Sequence, residues 1–416
     1  MSAPEARRRT HRFILALASS LAAGCQVQDD VDIPFLTDVL TLEATIQDDP
    51  AQEDFQLVKP QGIGVDAQGK MYLADEHALK VYGPDGKPIK LIGREGSGPG
   101  EFVGPASAAV GPTEYIAAID NLWEANVFSP DGEFLNRIRY RTENRFRSYL
   151  QAEGFTMTML NAVIPLDADH LLIDLFGMKR GLPDPYVNTT QLLYATPDTV
   201  LELCQYVDHG VILTDKNRNS TRAVEFQGDL LWTLPSTDRL IYTETSTHRG
   251  EGDGLPTYRL VVLDLETRSA DTLDVPWEPV PVPLRVRNHD SIYVEQIDRS
   301  FELDPAVRDI LQETEVYPPL KALLADGGIV FAFLFPAHDP GGRNRLKVGQ
   351  EVMPHVADIV HLTTGELKAR AEFPFVPDLI KGGRAYRLHV PTDAFPTVYT
   401  YRIDEVVYSP APTKQN

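Results

Sequence analysis

The sequence predicts an all-β fold, a six-bladed β-propeller of four-stranded antiparallel blades whose last blade is closed by an N-terminal strand. Four short apolar runs lie between Gly62 and Ile92, and the turns that separate them are rich in Asp, Gly and Pro, as in an antiparallel meander. The pattern then repeats, because Val81–Lys87 (VYGPDGK) matches Val127–Glu133 (VFSPDGE) at an offset of 46 residues. Repeats of about 40–50 residues per four-stranded unit are typical of propeller blades.

The first repeat resembles a known family. Gly62–Asp75, taken with the Pro84–Gly86 turn, is similar to an NHL-type repeat. The segment Ile92–Phe102 (IGREGSGPGEF) is similar to the connector of bacterial six-bladed β-propeller lipoproteins, and it predicts that Phe102 is an anchor between blades. The resemblance covers Gly62–Arg139, beyond which only the spacing of the strands matches. Because that family is largely uncharacterised, the resemblance implies an architecture and not an activity.

The N-terminus has the pattern of a secretory signal. Four arginines between Arg7 and Arg12 precede the apolar segment Phe13–Ala23, and this order of basic and apolar regions is typical of export signals. The apolar segment is shorter than the roughly 20 residues of a membrane-spanning helix. We therefore assign residues 1–24 to a signal peptide.

The end of this signal resembles the lipobox of bacterial lipoproteins. Ala22–Cys25 (AAGC) places small residues before a cysteine, which implies cleavage before Cys25 and acylation of that residue. Gln26, rather than Asp, follows the cysteine, which implies transport to the outer membrane, with the domain on the periplasmic or the surface face. Residues 25–37 are predicted to be a tether, so that contact with the membrane occurs only through the lipid.

Charge and cysteine content limit the classes of partner. The formal charge is −21, and removal of residues 1–24, with four Arg and one Glu, makes it −24. Such an acidic chain is not expected to bind nucleic acid, whose phosphates it would repel. The two cysteines are Cys25 and Cys204, so acylation of Cys25 leaves Cys204 as a lone thiol, which we expect to be buried in a strand. We expect a monomer.

The propeller is predicted to cover residues 38–408, followed by a disordered tail at 409–416. Val39–Ile46 alternates apolar and polar residues without a neighbouring partner, so we assign it as the outer strand of the last blade, where it removes an exposed sheet edge. The blades in chain order are assigned to Gly62–Ile92, Pro105–Arg139, Phe155–Val207, Val224–Val275, Leu320–Pro374 and Phe375–Asp404.

The segment at about 276–319 fits this pattern least. Ser291–Gln296 has the pattern of a strand, and Asp304–Glu315 that of a helix, with Asp304 as its cap and Pro305 in its first turn. We predict an insertion between blades 4 and 5. The alternative is a degenerate seventh blade.

Segment lengths predict which face of the propeller binds a ligand. We label the strands of each blade A, innermost, to D, outermost. The A–B and C–D turns are short, whereas the long segments are B–C loops or D–A connectors, which emerge on the opposite face. Insertions on one side of a rigid scaffold are the usual layout of a binding face, although surface loops also tolerate insertions without a function. The candidate ligand-binding residues of this face are Asp75, His77, Asp120, Trp123, Arg180, His248, His338 and Arg343.

Two of these residues have a structural alternative. Asp75 and Asp120 end strand B of blades 1 and 2 at an offset of 45 residues, and in NHL-like repeats such aspartates often hydrogen-bond a loop. Trp123 is as well explained by packing.

The sequence favours a non-catalytic module that binds an envelope protein, a peptide or a glycan. The alternative is a metal-dependent hydrolase, lactonase or lyase at the mouth of the central channel, because propellers host such enzymes. Asp75, His77, Asp120 and His338 would then supply ligands for a divalent cation such as calcium. Against it, the chain has no HExxH or GxSxG motif, and its ten histidines are scattered. No catalytic residue and no cofactor is assigned.

Overall fold

Six four-stranded antiparallel sheets form a ring in the computed structural model, which confirms the predicted six-bladed β-propeller. The structure describes residues 33–46, 52–120, 124–179, 187–208, 213–215, 220–222, 228–246, 249–252, 255–282, 284, 315–335, 354–391 and 394–409.

The first three blades each add four strands in chain order after two N-terminal strands that belong to later blades. These strands are β1 (Phe35–Leu36) and β2 (Leu40–Ile46); β3 (Gly62–Val65), β4 (Met71–Asp75), β5 (Ala78–Tyr82) and β6 (Pro88–Ile92) in blade 1; β7 (Pro105–Val110), β8 (Ile116–Asp120), β9 (Glu124–Phe128) and β10 (Phe134–Ile138) in blade 2; and β11 (Phe155–Pro165), β12 (Leu171–Lys179), β13 (Val187–Ala195) and β14 (Val200–Asp208) in blade 3.

The last three blades follow a two-stranded hairpin, and blade 4 carries one extra strand. These strands are β15 (Leu213–Asp215) and β16 (Ser220–Arg222) in the hairpin; β17 (Leu230–Thr233), β18 (Arg239–Glu244), β19 (Arg249–Gly252), β20 (Leu255–Asp264) and β21 (Ala270–Pro276) in blade 4; β22 (Leu320–Asp326), β23 (Ile329–Leu334), β24 (His355–His361) and β25 (Leu367–Phe373) in blade 5; and β26 (Leu379–Lys381), β27 (Arg384–His389) and β28 (Thr397–Ile403) in blade 6.

The N-terminal strand closes the ring as predicted. Strand β2 pairs antiparallel with β28, from Leu40 opposite Ile403 to Ile46 opposite Val398, and supplies the outermost strand of blade 6. Strand β1 pairs in parallel with β25 of blade 5. The sequence pattern did not predict β1, which lies inside the stretch assigned to the tether.

The sequence also missed helix α1 (Asn144–Ala152) between blades 2 and 3, the short helix α2 (Glu405–Tyr408) after β28, and the inner strand β26. In the segment at 276–319, an isolated bridge joins Pro281 to Val316, and the rings of Tyr317 and Phe335 stack at 5.2 Å. The predicted strand Ser291–Gln296, all but the last residue of the predicted helix Asp304–Glu315, and residues 410–416 lie outside the described residues.

The hydrophobic core consists of clusters that lie between neighbouring blades. Within the described blades, each of the six interfaces around the ring has its own cluster, including the one between blades 6 and 1. Phe102 is fully buried in the cluster between blades 1 and 2, as predicted for a connector anchor. Since each sheet buries both faces only against its neighbours, the ring is the unit of stability.

The innermost strands approach each other closely at the first interface. A Cβ at Gly62 would lie 3.2 Å from backbone atoms of Ser107 and Ala108, and one at Gly64 would lie 3.0 Å from the backbone nitrogen of Val110. Glycine is therefore required where β3 packs on β7.

Buried polar side chains connect adjacent blades. Between blades 3 and 4, the Trp232 indole Nε1 donates to Asp174 Oδ2 at 2.7 Å, and Asn161 Nδ2 donates to Asp174 Oδ1 at 3.0 Å. Between blades 4 and 5, the Tyr258 hydroxyl donates to Asp358 Oδ2 at 3.0 Å, and Arg370 Nε donates to Asp358 Oδ1 at 2.9 Å. The Trp232 and Tyr258 bonds cross between blades, whereas the Asn161 and Arg370 bonds hold each aspartate within its own blade.

The buried Asp174 makes stability depend on pH. Burial raises the pKa of Asp174 to about 6, although both hydrogen-bond donors act to lower it. In the unfolded chain an aspartate has a pKa of about 3.9. Between pH 4 and 6 the folded state therefore retains a proton that the unfolded chain has lost, and the free energy of unfolding falls as pH rises through this window, by about 3 kcal/mol in total.

Asp174→Asn is expected to remove this dependence. The new side chain does not titrate, and Asn161 can rotate its amide to accept from it. The gain in unfolding free energy of the variant over the wild type should therefore grow from pH 4 to 6 and stay constant above pH 7. Urea unfolding at pH steps from 4 to 7.5 measures the difference. Parallel curves for the two proteins would show that Asp174 does not titrate in this range.

Candidate functional site

The long intervals between strands all begin and end on one face of the ring. Successive strands are antiparallel, so the A–B and C–D turns emerge on one face, which we call the short-turn face; at most five residues separate the strands there, as at 66–70, 129–133 and 265–269. The B–C loops and D–A connectors emerge on the other face, which we call the long-loop face. It carries the intervals 93–104, 139–154, 209–229, 245–254, 277–319 and 335–354. The strand order thus confirms the predicted asymmetry.

Blade 3 rises above its neighbour on the long-loop face. Strand β12 runs for 9 residues, whereas β8 of blade 2 runs for 5. Both strands begin at the short-turn face, so the extra residues of β12, at about 3.3 Å each, project by roughly 13 Å from the long-loop face. The beginning of β11 pairs with this extension, from Phe155 opposite Lys179. In blade 4 the added strand β19 pairs with the beginning of β20. These strands form a raised wall beside the channel mouth.

Asp75 holds a connector in place. Its carboxylate is fully buried and accepts from the backbone nitrogens of Val58 at 2.9 Å and Lys59 at 2.7 Å. Its Oδ2 also accepts from Lys80 Nζ at 3.1 Å, and this ammonium is 4% exposed. Lys80 further contacts Glu76 Oε2 at 3.2 Å. Both oxygens of Asp75 are thus engaged by the segment that leads into blade 1.

Asp120 repeats this arrangement in blade 2. It accepts from the backbone nitrogens of Val103 at 3.1 Å and Gly104 at 2.9 Å. The acceptor and both donors are each displaced by 45 residues from Asp75, Val58 and Lys59. Asp75 and Asp120 thus each hydrogen-bond a connector, as the structural alternative for these two residues predicts.

Blade 4 has an equivalent contact with a different side chain. The Asp229 backbone nitrogen donates to Thr245 Oγ1 at 2.8 Å. The separation of 16 residues equals that between Asp75 and Lys59 and that between Asp120 and Gly104. The end of strand B thus fixes the preceding connector in three blades.

His77 contacts the same region. Its Nδ1 lies 3.0 Å from the carbonyl oxygen of Val103, so the B–C turn of blade 1 bonds the connector to blade 2. The other candidate ligand-binding residues, Trp123, Arg180, His248, His338 and Arg343, lie outside the described residues, as does the lipidation candidate Cys25. Whether the candidates bind a ligand stays a prediction.

The described part of the chain contains neither a metal-binding cluster nor a membrane-spanning helix. There, no three His, Cys, Asp or Glu side chains converge in a way that could hold a metal ion. No helix among the same residues has the length and apolar character needed to cross a bilayer. Cys204 is buried as predicted, and burial raises the pKa of its thiol.

The sequence missed a cavity on the long-loop face. A cavity of about 290 Å³, which we call the α1 pocket, lies between helix α1 and the beginning of β11. Its lining residues are Arg141, Arg147, Leu150, Gln151, Phe155, Thr156 and Thr158. Arg147, Leu150 and Gln151 are spaced to share one side of a helix, and this spacing was the only signal in the sequence.

The long-loop face also exposes apolar side chains. Val58 and Val103, whose backbone nitrogens bond Asp75 and Asp120, are 56% and 52% exposed. Val390 and Phe395 flank the B–C interval of blade 6 and are 51% and 65% exposed. These four side chains belong to connectors and loops of the consecutive blades 6, 1 and 2, and we call them together the apolar arc. Exposed apolar side chains on the same face are candidates for contact with a partner.

No family model matches the chain, and no curated protein matches it. Several solved structures are similar to it at low identity. A Bacteroides fragilis protein described as exported is 12% identical with a TM-score of 0.41, covering 89% of this chain and 99% of that one. BamB from Moraxella catarrhalis is 12% identical with a TM-score of 0.31, covering 88% and 100%. A gluconolactonase from Xanthomonas campestris is 9% identical with a TM-score of 0.40, covering 88% and 97%. At such low identities and TM-scores, these structures carry no inference about what this chain binds.

The contacts of the two aspartates predict unequal effects of their removal. Asp120→Ala should cost about 1–2 kcal/mol of unfolding free energy, because water can reach the two backbone nitrogens that lose their acceptor. Asp75→Ala should cost about 3 kcal/mol or more, because it also removes the buried carboxylate beside the Lys80 ammonium, which is left with the half-exposed Glu76 and the Gln56 carbonyl as partners.

Urea unfolding of both variants measures these costs. Asp85→Ala is the control, because its ion pair with Lys87 at 2.8 Å lies on the surface, where solvent screens it and it stabilises the fold little. Equal costs for Asp75→Ala and Asp120→Ala would contradict a stabilising role of the Lys80 contact.

Proposed function

We propose that this protein is a lipid-anchored, non-catalytic binding module of the bacterial cell envelope, which captures a protein, a peptide or a glycan on its long-loop face. The observation that carries the proposal is that all long intervals between strands begin and end on that face. On the opposite face the strands of a blade are joined by turns of five residues or fewer, so most of the chain-specific shape available to a partner is expected on the long-loop side.

The chemistry of the long-loop face supports a partner surface. The apolar arc supplies area that gains from being covered, and the α1 pocket adds two guanidinium groups elsewhere on this face. Aromatic, apolar and arginine side chains are the groups that carry most binding energy in protein interfaces. The connectors that bear Val58 and Val103 are held by Asp75 and Asp120, so this part of the surface is fixed before a partner arrives, which lowers the entropic cost of binding.

The anchor is part of the same proposal and rests on the sequence alone. The basic and apolar N-terminal regions, the AAGC segment and the tether would place the propeller at the outer membrane as a lipoprotein with NHL-like repeats. Such an arrangement holds the propeller at a bilayer through its lipid while the acidic body stays off anionic lipid.

Charge placed in the apolar arc should abolish capture of the partner. The double variant Val58→Asp and Val103→Asp keeps both backbone hydrogen bonds but replaces exposed apolar side chains with carboxylates. We expect the amount of co-purified partner to fall at least about tenfold. The measurement is quantitative affinity capture from cross-linked cell envelopes.

Val406→Asp is the matched control for this test. Val406 lies in α2, which follows β28 on the short-turn face, and is 50% exposed. The Val406→Asp variant should capture as much partner as the wild type does. Loss of capture in the control as well, or capture by the double variant at the wild-type level, would refute binding through the long-loop face.

Substitution of the lipidated residue should separate anchoring from binding. Cys25→Ser removes the thiol that would be acylated, so we expect the protein to leave the membrane fraction while its propeller still captures the same partner. Fractionation of cells together with mass spectrometry of the N-terminal peptide checks this. Continued membrane attachment without an acylated peptide would show that the chain is held in another way.

A further inference from the structure

The α1 pocket contains an arginine that is oriented without being neutralised. Arg147 Nη2 donates to the amide oxygen of Asn144 at 2.5 Å. Among the described residues no carboxylate forms an ion pair with Arg147. Arginines elsewhere in the described blades pair with carboxylates at 2.7–3.0 Å, including Arg145, Arg259, Arg370 and Arg384. The Arg147 side chain is exposed, so its charge is open to an anionic ligand in the pocket.

Helix α1 presents Arg147 to the pocket because its other side is fixed in the core. Phe146 is buried in the cluster between blades 2 and 3, and Arg145 covers its ring at 4.7 Å. Arg145 also pairs with Glu143 and donates to the carbonyl of Thr196 in blade 3. The rotation of the helix is therefore set, and Arg147, Leu150 and Gln151 line the cavity.

The second guanidinium is held from the opposite wall. Arg141 Nη2 donates to the carbonyl oxygen of Thr158 at 3.1 Å, and the same oxygen accepts from the Tyr140 hydroxyl at 2.6 Å. Thr158 is buried in β11, so Arg141 is tied to a strand rather than to a loop. Two guanidinium groups thus line one cavity from two rigid elements.

The rest of the lining defines the chemical class of the ligand. Leu150 and Phe155 supply apolar surface, and Gln151 and Thr156 supply neutral polar groups. The residues that line the pocket from α1 begin at Arg147, beyond the first turn, so the backbone nitrogens that usually cradle a phosphate do not face it. A planar carboxylate matches the guanidinium fork. The volume of about 290 Å³ suits a group the size of one side chain.

We propose that the α1 pocket binds a carboxylate that has an apolar group beside it. The carboxylate lies between Arg141 and Arg147, and the apolar group contacts Leu150 and Phe155. The source of this chemistry is either a free organic acid or the C-terminal residue of a peptide. The inference rests on the proposed function in that it names the group which the long-loop face recognises.

The test uses 3-phenylpropionate as the probe and the protein purified from membranes in lipid nanodiscs. Isothermal titration should show binding of the acid, and the neutral 3-phenylpropionamide should bind at least about tenfold more weakly. Arg147→Gln and Arg141→Gln should each weaken binding of the acid at least about tenfold. Arg139→Gln is the control, because Arg139 lies in the same connector and pairs with Glu124 at 3.2 Å outside the pocket; it should leave binding unchanged.

Three results would overturn the inference. They are equal affinity for the acid and the amide, unchanged affinity in Arg147→Gln, and tighter binding of phenyl phosphate than of 3-phenylpropionate. A peptide that ends in phenylalanine with a free carboxylate, compared with its C-terminal amide, identifies the source: tighter binding than the free acid assigns a peptide, and equal or weaker binding assigns a small organic acid.

The outcome is separable from that of the proposed function. If Arg147→Gln leaves binding of the acid unchanged while the double variant in the apolar arc loses its partner, the carboxylate site fails and the binding face stands. If the acid binds as expected but capture survives the double variant, the binding face fails and the pocket stands.

Discussion

Antiparallel pairing between β2 and β28 is the contact on which the rest of the structure depends. It joins Leu40–Ile46 to Thr397–Ile403, so the two ends of the folded ring lie in one sheet. Without this strand, β28 would be an unpaired edge, and the apolar cluster between blades 6 and 1 would lose Ile46. Since the six clusters lie between blades and not within them, closure of the ring completes the core.

Ring closure does not fix the positions of the connectors. Short-range polar contacts hold them in place. Asp75, Asp120 and Thr245 each bond backbone nitrogens 16 or 17 residues earlier. The oxygens of the two aspartates at the channel mouth are thereby engaged within the fold. The groups that point outward from the long-loop face are instead the exposed apolar side chains of these connectors and the two arginines of the α1 pocket. Recognition and stability are thus assigned to different residues of the same segments.

Part of this arrangement could be read from the chain. The strands of blades 1 and 2 are bounded by Pro-Asp-Gly turns, and their order follows because tight turns permit only neighbouring antiparallel pairs. The closing strand was predictable because Val39–Ile46 alternates in polarity without a local partner. By contrast, β1 has two residues, and α1 is a single helix of nine residues whose buried residue is Phe146. Both elements exist because of contacts with β25 and with the core between blades 2 and 3, which no local pattern encodes.

The sequence by itself predicted six blades, with a degenerate seventh as the alternative, together with the closure of the ring and the side on which the long segments emerge. It could do so because turn chemistry and strand alternation are local properties and an antiparallel order fixes the rest. Only the tertiary structure decided that Asp75 bonds Val58 and Lys59, that blade 3 rises as a wall, and that Arg141 and Arg147 line one cavity. These features depend on how neighbouring sheets and connectors approach one another, and that distance is set by packing across the interfaces between blades.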